Sequence, residues 1–158
     1  VIAQVHGIAT AAGCQLVAMC DLAIAATGTL FGVNGVNIGL FCSTPMVALS
    51  RNIPRKQAFE MLTTGEFIGA DRAVQLGLIN KVVAPEDLDA AVEAEVKPYL
   101  SVAPGAVAEA KALARRLGPP ITEEIIDETI AGLVARWESA EAQEGIAAFF
   151  EKRKPRWA

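Results

Sequence analysis

Charge is what the first third of this sequence lacks. Between Val1 and Ser50 the one ionised side chain at neutral pH is Asp21, and the lysines, the arginines and the remaining acids all come later. Fifty residues this uncharged form an interior slab that must be covered on most of its faces, and the helices that follow do not suffice. A preceding segment, partner subunits or both are expected to complete the cover. A long apolar run is also missing: the longest, near Leu16, is broken at Asp21 and falls short of the roughly 18 residues that cross a bilayer, so no membrane span is expected. No signal peptide is visible. With a net charge of −4 the chain has no excess of basic residues to form a nucleic-acid face, and no nucleic-acid partner is expected. Histidine occurs once, at His6, and cysteine three times. Cys14, Cys20 and Cys42 stand among apolar residues without metal-ligand spacing, which predicts reduced thiols, no metal and a cytosol-like compartment. The glycines carry neither a P-loop lysine nor a G-x-G-x-x-G fingerprint.

What is present is enough for one domain. A chain of 158 residues, 53% hydrophobic, buries roughly 70% of its unfolded surface. Its organising stretch runs from His6 to Asp21. Val1 to Val5 supply an apolar, β-branched strand, Gly7 breaks it, and five small residues from Ala9 to Gly13 precede a helical pattern from Gln15 to Met19. Small residues let a ligand or another backbone approach closely. A helix starting near Ala12 or Gly13 aims its free N–H groups and positive dipole end into that space, which suits an anion or a developing oxyanion.

Further along, residues 22–26 and 29–32 read as strands. Gly35, Gly39 and Pro45 punctuate an apolar loop containing Asn34, Phe41, Ser43 and Thr44, with a helix expected behind Pro45. Residues 54–62 predict a helix with Phe59 and Leu62 on one face, ended by Gly65. A short helix at 70–76 stops at Gly77 in the position of a left-handed cap, and 78–83 follow as a strand. Pro85 with two acids opens a helix to about Tyr99. From Ala103 the chain is all helix, interrupted by Gly118-Pro119-Pro120, with Thr122 as a cap and an apolar stripe from Ile126 to Trp137 that fits core or a subunit contact.

Several motifs then fall in order: His6-Gly7-x-Ala9-x-x-x-Gly13-Cys14-x-Leu16, Cys20-Asp21, Phe31-Gly32, Gly39, Met61-Leu62-x-Thr64-Gly65-Glu66, Ala70-x-x-Ala73-x-x-x-Gly77-Leu78-Ile79, and Glu144-Gly145-x-x-Ala148-Phe149-x-Glu151-Lys152-Arg153. Single pieces are weak, but the ordered set spans essentially the whole chain. It resembles the second half of the enoyl-CoA hydratase/isomerase (crotonase) family, within it the domain-containing 3 type. The resemblance implies an α/β fold: a crotonase-like β-β-α spiral, here incomplete because the family's N-terminal half is absent, over residues 1–100, and a helical trimerisation region over 101–158. It implies a homotrimer or hexamer, an acyl-CoA thioester as ligand with coenzyme A as part of the substrate rather than a separate cofactor, and a place in fatty acid metabolism as lyase or isomerase. A cytoplasmic location is expected, or the mitochondrial matrix where a removed leading segment carried targeting.

The family stabilises a thioester enolate with two backbone N–H groups, one of which matches Ala12; the second belongs to the absent half, as do most adenine contacts. The two glutamates of the family's hydratases match Gln15 and Gly35. Gln15 has no titratable proton and Gly35 no side chain. The position of a working aspartate in related isomerases and a dehalogenase matches Ser43. Phe41 and Ser43 are expected to border the substrate, and Lys152 is similar to a lysine that reaches the CoA phosphates of a neighbouring subunit. Ser43 and Thr44 have no base nearby in sequence, so loop hydrogen bonding is expected of them rather than attack on a thioester. Asp21 is read as a capping or turn residue. Three functions stay open: an oxyanion-hole reaction without the hydratase acids, such as isomerisation, thioester hydrolysis or decarboxylation; a non-catalytic acyl-CoA-binding or assembly subunit; and a hydratase drawing its acids from the absent half.

Overall fold

A computed structural model describes residues 1–157. The chain alternates between two short sheets. β1 (Ile2–Val5) lies in one, β2 (Ile8–Thr10) in the other, and α1 (Ala12–Met19) returns the chain; β3 (Leu22–Ala26) and β4 (Leu30–Gly32) repeat the cycle. Ile2 pairs in parallel with Leu22 and Ile8 with Leu30. Each β-β-α turn therefore lays its strands beside those of the turn before, the crossover that parallel pairing requires. β5 (Ile68–Gly69) adds to β4 antiparallel, and β6 (Lys81–Val83) adds to β3 in parallel.

The composition of β3 explains its central place. Its small alternating residues face two cores. Ala23 and Ala25 pack into the main one with Phe31, Leu49 and Met61, while Ile24 and Ala26 meet Leu88, Ala91 and Val92 of α5 (Leu88–Leu100). α2 (Ser43–Asn52), α3 (Arg55–Thr64) and α4 (Ala70–Leu76) close the main core. α3 and α4 end at Gly65 and Gly77 in left-handed torsions, as the sequence predicts. Asp21 lies in the bend between α1 and β3, a turn residue rather than a cap, and pairs with Lys111 of α6 (Pro104–Leu117), whose ammonium lowers its pKa.

Four expectations change. Residues 8–10 are a strand, because the Ala9 backbone pairs with Phe31 across the sheet. α2 begins at Ser43, ahead of Pro45, since a first-turn proline gives up an N–H that has no helical acceptor anyway. The strand expected at 78–83 shortens to Lys81–Val83, because the Leu78 N–H turns back to the Ala73 carbonyl at 2.9 Å to finish α4. On α3 the buried face is Ala58, Met61 and Leu62, and Phe59 is 64% exposed.

α6, α7 (Glu123–Trp137) and α8 (Ala140–Phe150) make up the C-terminal region. The Thr122 hydroxyl caps α7 by accepting from the Ile125 N–H at 3.3 Å. Within this chain the Ile126 to Trp137 stripe is not core: Ile130, Val134 and Trp137 are each about half exposed. Ile8, Leu16 and Met19 on the opening turn are exposed too, so the uncharged slab has an open face as its composition predicts.

Candidate functional site

The site is built where β2 passes into α1. The chain turns at Ala11 with φ 48° and ψ −116°, torsions an L-residue rarely adopts. Two hydrogen bonds hold it there: the Ala11 N–H donates to the Gly32 carbonyl at 2.9 Å, and the Ala11 carbonyl accepts from the Gln15 N–H at 3.0 Å. α1 then starts at Ala12 with no side-chain cap and no acid in its first turn. Ala12 and Gly13 are exposed, and nothing lies within 4 Å of where a Cβ on Gly13 would stand. First-turn N–H groups and an unneutralised dipole end thus front open space, a geometry that receives negative charge. The sequence pattern locates this start but carries no sign of the strain at Ala11, which only positive φ reveals.

Gln15 lies one turn into α1 and is half-buried, on the side shared with Ala12. Between them Cys14 points inward and is fully buried; desolvation pushes its thiol up to about 11, with the Gly32 backbone pulling the other way. Burial likewise raises Cys42, against the Gly35 backbone. Both are protonated thiols at neutral pH and behave as small hydrophobes.

β4 lies beside β2 in parallel, so the segment leaving β4 emerges next to the start of α1. Its first part is a 3-10 helix, Asn34–Ile38. Asn34 is pinned between the Thr10 hydroxyl and the Gly65 carbonyl, and Asn37 donates to the same carbonyl at 3.3 Å. Both amides are thereby committed to structure. Gly35 sits in this turn with its Cα so close to the next bend that a Cβ would meet the Phe41 carbonyl carbon at 3.0 Å and the Cys42 nitrogen at 3.2 Å. The Phe41 ring is turned to α7, where a Cβ on Gly132 would touch its tip at 3.3 Å.

Ser43 is the first residue of α2, not a loop residue, and is 3% exposed. Its Oγ has no hydrogen-bond partner among the described residues, so the expected loop hydrogen bond is not formed. Such a group costs free energy unless water or a ligand satisfies it. Lys152 stands exposed past the end of α8, in left-handed torsions with φ 53°. Next to it Arg153 grips Glu144 with both terminal nitrogens, at 2.6 and 3.0 Å, and Glu144 also accepts from the Arg156 N–H. These bonds lower the Glu144 pKa to about 2. The geometry thus places Ala12, Gln15 and Gly35 at one end of the paired strands β2 and β4, with Ser43 buried at the start of α2 and Lys152 on the far end of α8.

No group of three or more metal-ligating side chains occurs among the described residues. A surface cleft of about 250 Å³ between α3 and α4, bordered by Gln57, Glu60, Thr64 and Arg72, is lined by none of the expected site residues.

A family model described as enoyl-CoA hydratase/isomerase matches residues 1–158. The chain is 46% identical to enoyl-CoA hydratase domain-containing protein 3, mitochondrial, from Mus musculus, over 100% of its own length and 53% of the relative's. It spans about half the length of the curated relatives it matches. Among solved structures, an enoyl-CoA hydratase from Mycobacterium smegmatis is 54% identical with a TM-score of 0.73, covering 99% of this chain and 61% of that one. A carnitinyl-CoA hydratase from Mycobacterium avium is 34% identical with a TM-score of 0.90 over the same shares.

Proposed function

The chain belongs to the enoyl-CoA hydratase/isomerase family, and from that premise we propose that it binds an acyl-CoA thioester and stabilises the enolate at the start of α1. The observation that carries this reading is the uncapped, acid-free first turn behind the strained Ala11. The Ala12 N–H donates to the thioester oxygen as negative charge develops there; the second donor comes from the family's preceding half. A backbone donor needs no particular side chain, so alanine serves.

The side chains around it narrow the chemistry. Adding water to an enoyl thioester requires one group to activate the water and another to protonate the α-carbon. Gln15 orients water or substrate by hydrogen bonds without exchanging a proton, and Gly35 contributes only backbone. Ser43 supplies a buried hydroxyl with its hydrogen-bonding capacity unspent and Lys152 a cation for the CoA phosphates of a neighbouring subunit, whereas the Phe41 ring, expected to border the substrate, is taken up in packing on Gly132 of α7. The reading is therefore of an oxyanion-hole enzyme of the isomerase or lyase kind without the hydratase acid pair. The exposed apolar side chains of α7 and α8 are assigned to a trimer, or a hexamer made of two. Coenzyme A enters as part of the substrate. Curated relatives named as mitochondrial support a mitochondrial rather than a cytoplasmic site of action.

A second reading, a non-catalytic acyl-CoA-binding or assembly subunit, is favoured by the absence of a carboxylate at Gln15 and Gly35. Assays with crotonyl-CoA and a longer enoyl-CoA separate the two. Turnover at ordinary enzyme rates eliminates the binding subunit; micromolar binding of the CoA ester without turnover of any thioester eliminates the enzyme. Failure to bind CoA esters at all overturns both.

A further inference from the structure

We propose that Arg136, on α7, is a positioning residue for this site: it locks the 3-10 helix after β4 onto the corner between α7 and α8 and so fixes the wall beside the start of α1. The inference rests on the acyl-CoA reading above. Arg136 makes two different bonds from one plane. Its Nε donates to the Gly39 carbonyl, 97 residues away, at 2.7 Å, and Nη2 pairs with Glu141 in the first turn of α8. Gly39 ends the 3-10 helix in left-handed torsions, and its Cα is pressed so close to α8 that a Cβ would lie 2.4 Å from the Glu141 carbonyl oxygen. The guanidinium therefore ties together the two backbones that meet there.

Its neighbours tighten the same grip. Gly145 of α8 lies across Ile38 without room for a methyl group, and the Phe41 ring rests on Gly132 of α7. From the inside, Thr10 and Gly65 hold Asn34. The segment bearing Gly35 is clamped between the sheet and the C-terminal helices, and Arg136 is the polar bolt of the outer half. A guanidinium fork suits this task, since a lysine ammonium is a point charge that does not hold a carbonyl and a carboxylate in one fixed plane. Because Gly35 offers only backbone, the position of that backbone sets how near the 3-10 helix stands to the start of α1. Displacements of about 1 Å cost up to ~100-fold where reacting groups must be aligned.

The test uses the full-length protein and two ligands: acetoacetyl-CoA, whose enolised acyl group probes the oxyanion site, and free CoA, which probes the handle alone. Affinities are measured by calorimetry for wild type, Arg136→Ala, Arg136→Lys and Glu141→Gln, with the melting temperature of each. The expected result for Arg136→Ala is an acetoacetyl-CoA affinity about tenfold lower with CoA affinity unchanged, and lysine fails to restore it. Glu141→Gln, which keeps the bond to Gly39, loses about threefold for acetoacetyl-CoA alone and carries the test if the alanine variant does not fold. Equal losses for both ligands, no loss for either, or full rescue by lysine would overturn the proposal, the last because charge alone would then suffice. A wild type that binds neither ligand overturns the acyl-CoA reading itself, and with it the purpose given to the bolt.

Discussion

Gly145 and Ile38 meet backbone to backbone: a Cβ built on Gly145 would stand 2.3 Å from the Ile38 carbonyl carbon and 2.4 Å from its oxygen. Neither obstacle is a flexible side chain, so the methyl of Gly145→Ala has nowhere to go unless α8 lifts from the 3-10 helix. Overpacking of this kind costs about 1–3 kcal/mol. The expected outcome is a lower urea midpoint with an unchanged slope. A wild-type midpoint would mean that α8 does not pack here in solution.

Ala11 gives a prediction of the opposite sign. Its torsions (φ 48°, ψ −116°) are reached readily by glycine and at a cost of about 1–3 kcal/mol by other residues. Ala11→Gly removes that strain and adds unfolded-state entropy worth roughly 0.4–1 kcal/mol. A net gain of about 1 kcal/mol is expected, read as a rise in melting temperature. A fall would show that the turn carries no such strain in the folded ground state.

The contrast between these two positions shows what sequence carries and what it withholds. Strands, caps and the start of α1 are legible because each is local: β-branched runs, Gly65 and Gly77 at helix ends, Thr122 ahead of a helix. The same local pattern narrows the start of α1 to Ala12 or Gly13, and it is the family resemblance that singles out Ala12. Arg136 is not legible, because its partner Gly39 is far away in the chain and nothing in either neighbourhood signals the bond. Ser43 reads as a loop residue because Pro45 reads as a helix start, whereas a proline is tolerated throughout the first turn. Spacing alone puts Phe59 and Leu62 on the apolar face of α3; packing keeps Leu62 and takes Ala58 and Met61 in place of Phe59.

The cysteines give a pH-dependent outcome. Burial raises Cys14 to about 11 and raises Cys42 as well. Below the unfolded thiol pKa of 9.0 both are protonated in the folded and unfolded states, and their contribution to stability is fully present. Above it the unfolded chain ionises first and binds fewer protons, so stability falls as pH climbs from 9 toward 11. At pH 8 a thiol reagent is expected to modify Cys20, the half-buried one, in the native protein and all three only after unfolding. Native labelling of Cys14 would refute its burial.

Glu144 titrates at the acid end. Bonds from Arg153 and the Arg156 N–H lower its pKa from 4.5 to about 2, so its contribution is present above about 4.5 and lost as pH falls toward 2. The pair is open to solvent, and salt screens it. Glu144→Gln is expected to release the segment around Lys152, seen as faster amide exchange at Arg153 and Arg156, with little change in melting temperature at high salt. If Lys152 serves CoA, the same variant weakens free CoA binding more than acyl discrimination, the reverse of the pattern expected for Arg136→Ala.

Gln15 and Gly35 pose the sharpest test of the proposed chemistry, because only one of the two positions has room for an acid side chain. Gln15 is already a long side chain, half-buried beside Ala12, and Gln15→Glu changes an amide to a carboxylate without changing volume. Gly35 is different: its Cβ would crowd the Phe41 and Cys42 backbones at 3.0–3.2 Å, so Gly35→Glu forces the bend to shift before any acid is delivered. One positioned acid–base group is worth about 10²–10⁴ in rate when its partner is present. Gln15→Glu alone is therefore expected to raise residual hydration of crotonyl-CoA by about tenfold, followed as loss of the enoyl absorbance, at an unchanged melting temperature. Gly35→Glu alone lowers the melting temperature and yields no comparable gain. No increase from Gln15→Glu would make the Gly35 turn, held from outside by Arg136 and Gly145, the tighter limit on hydration.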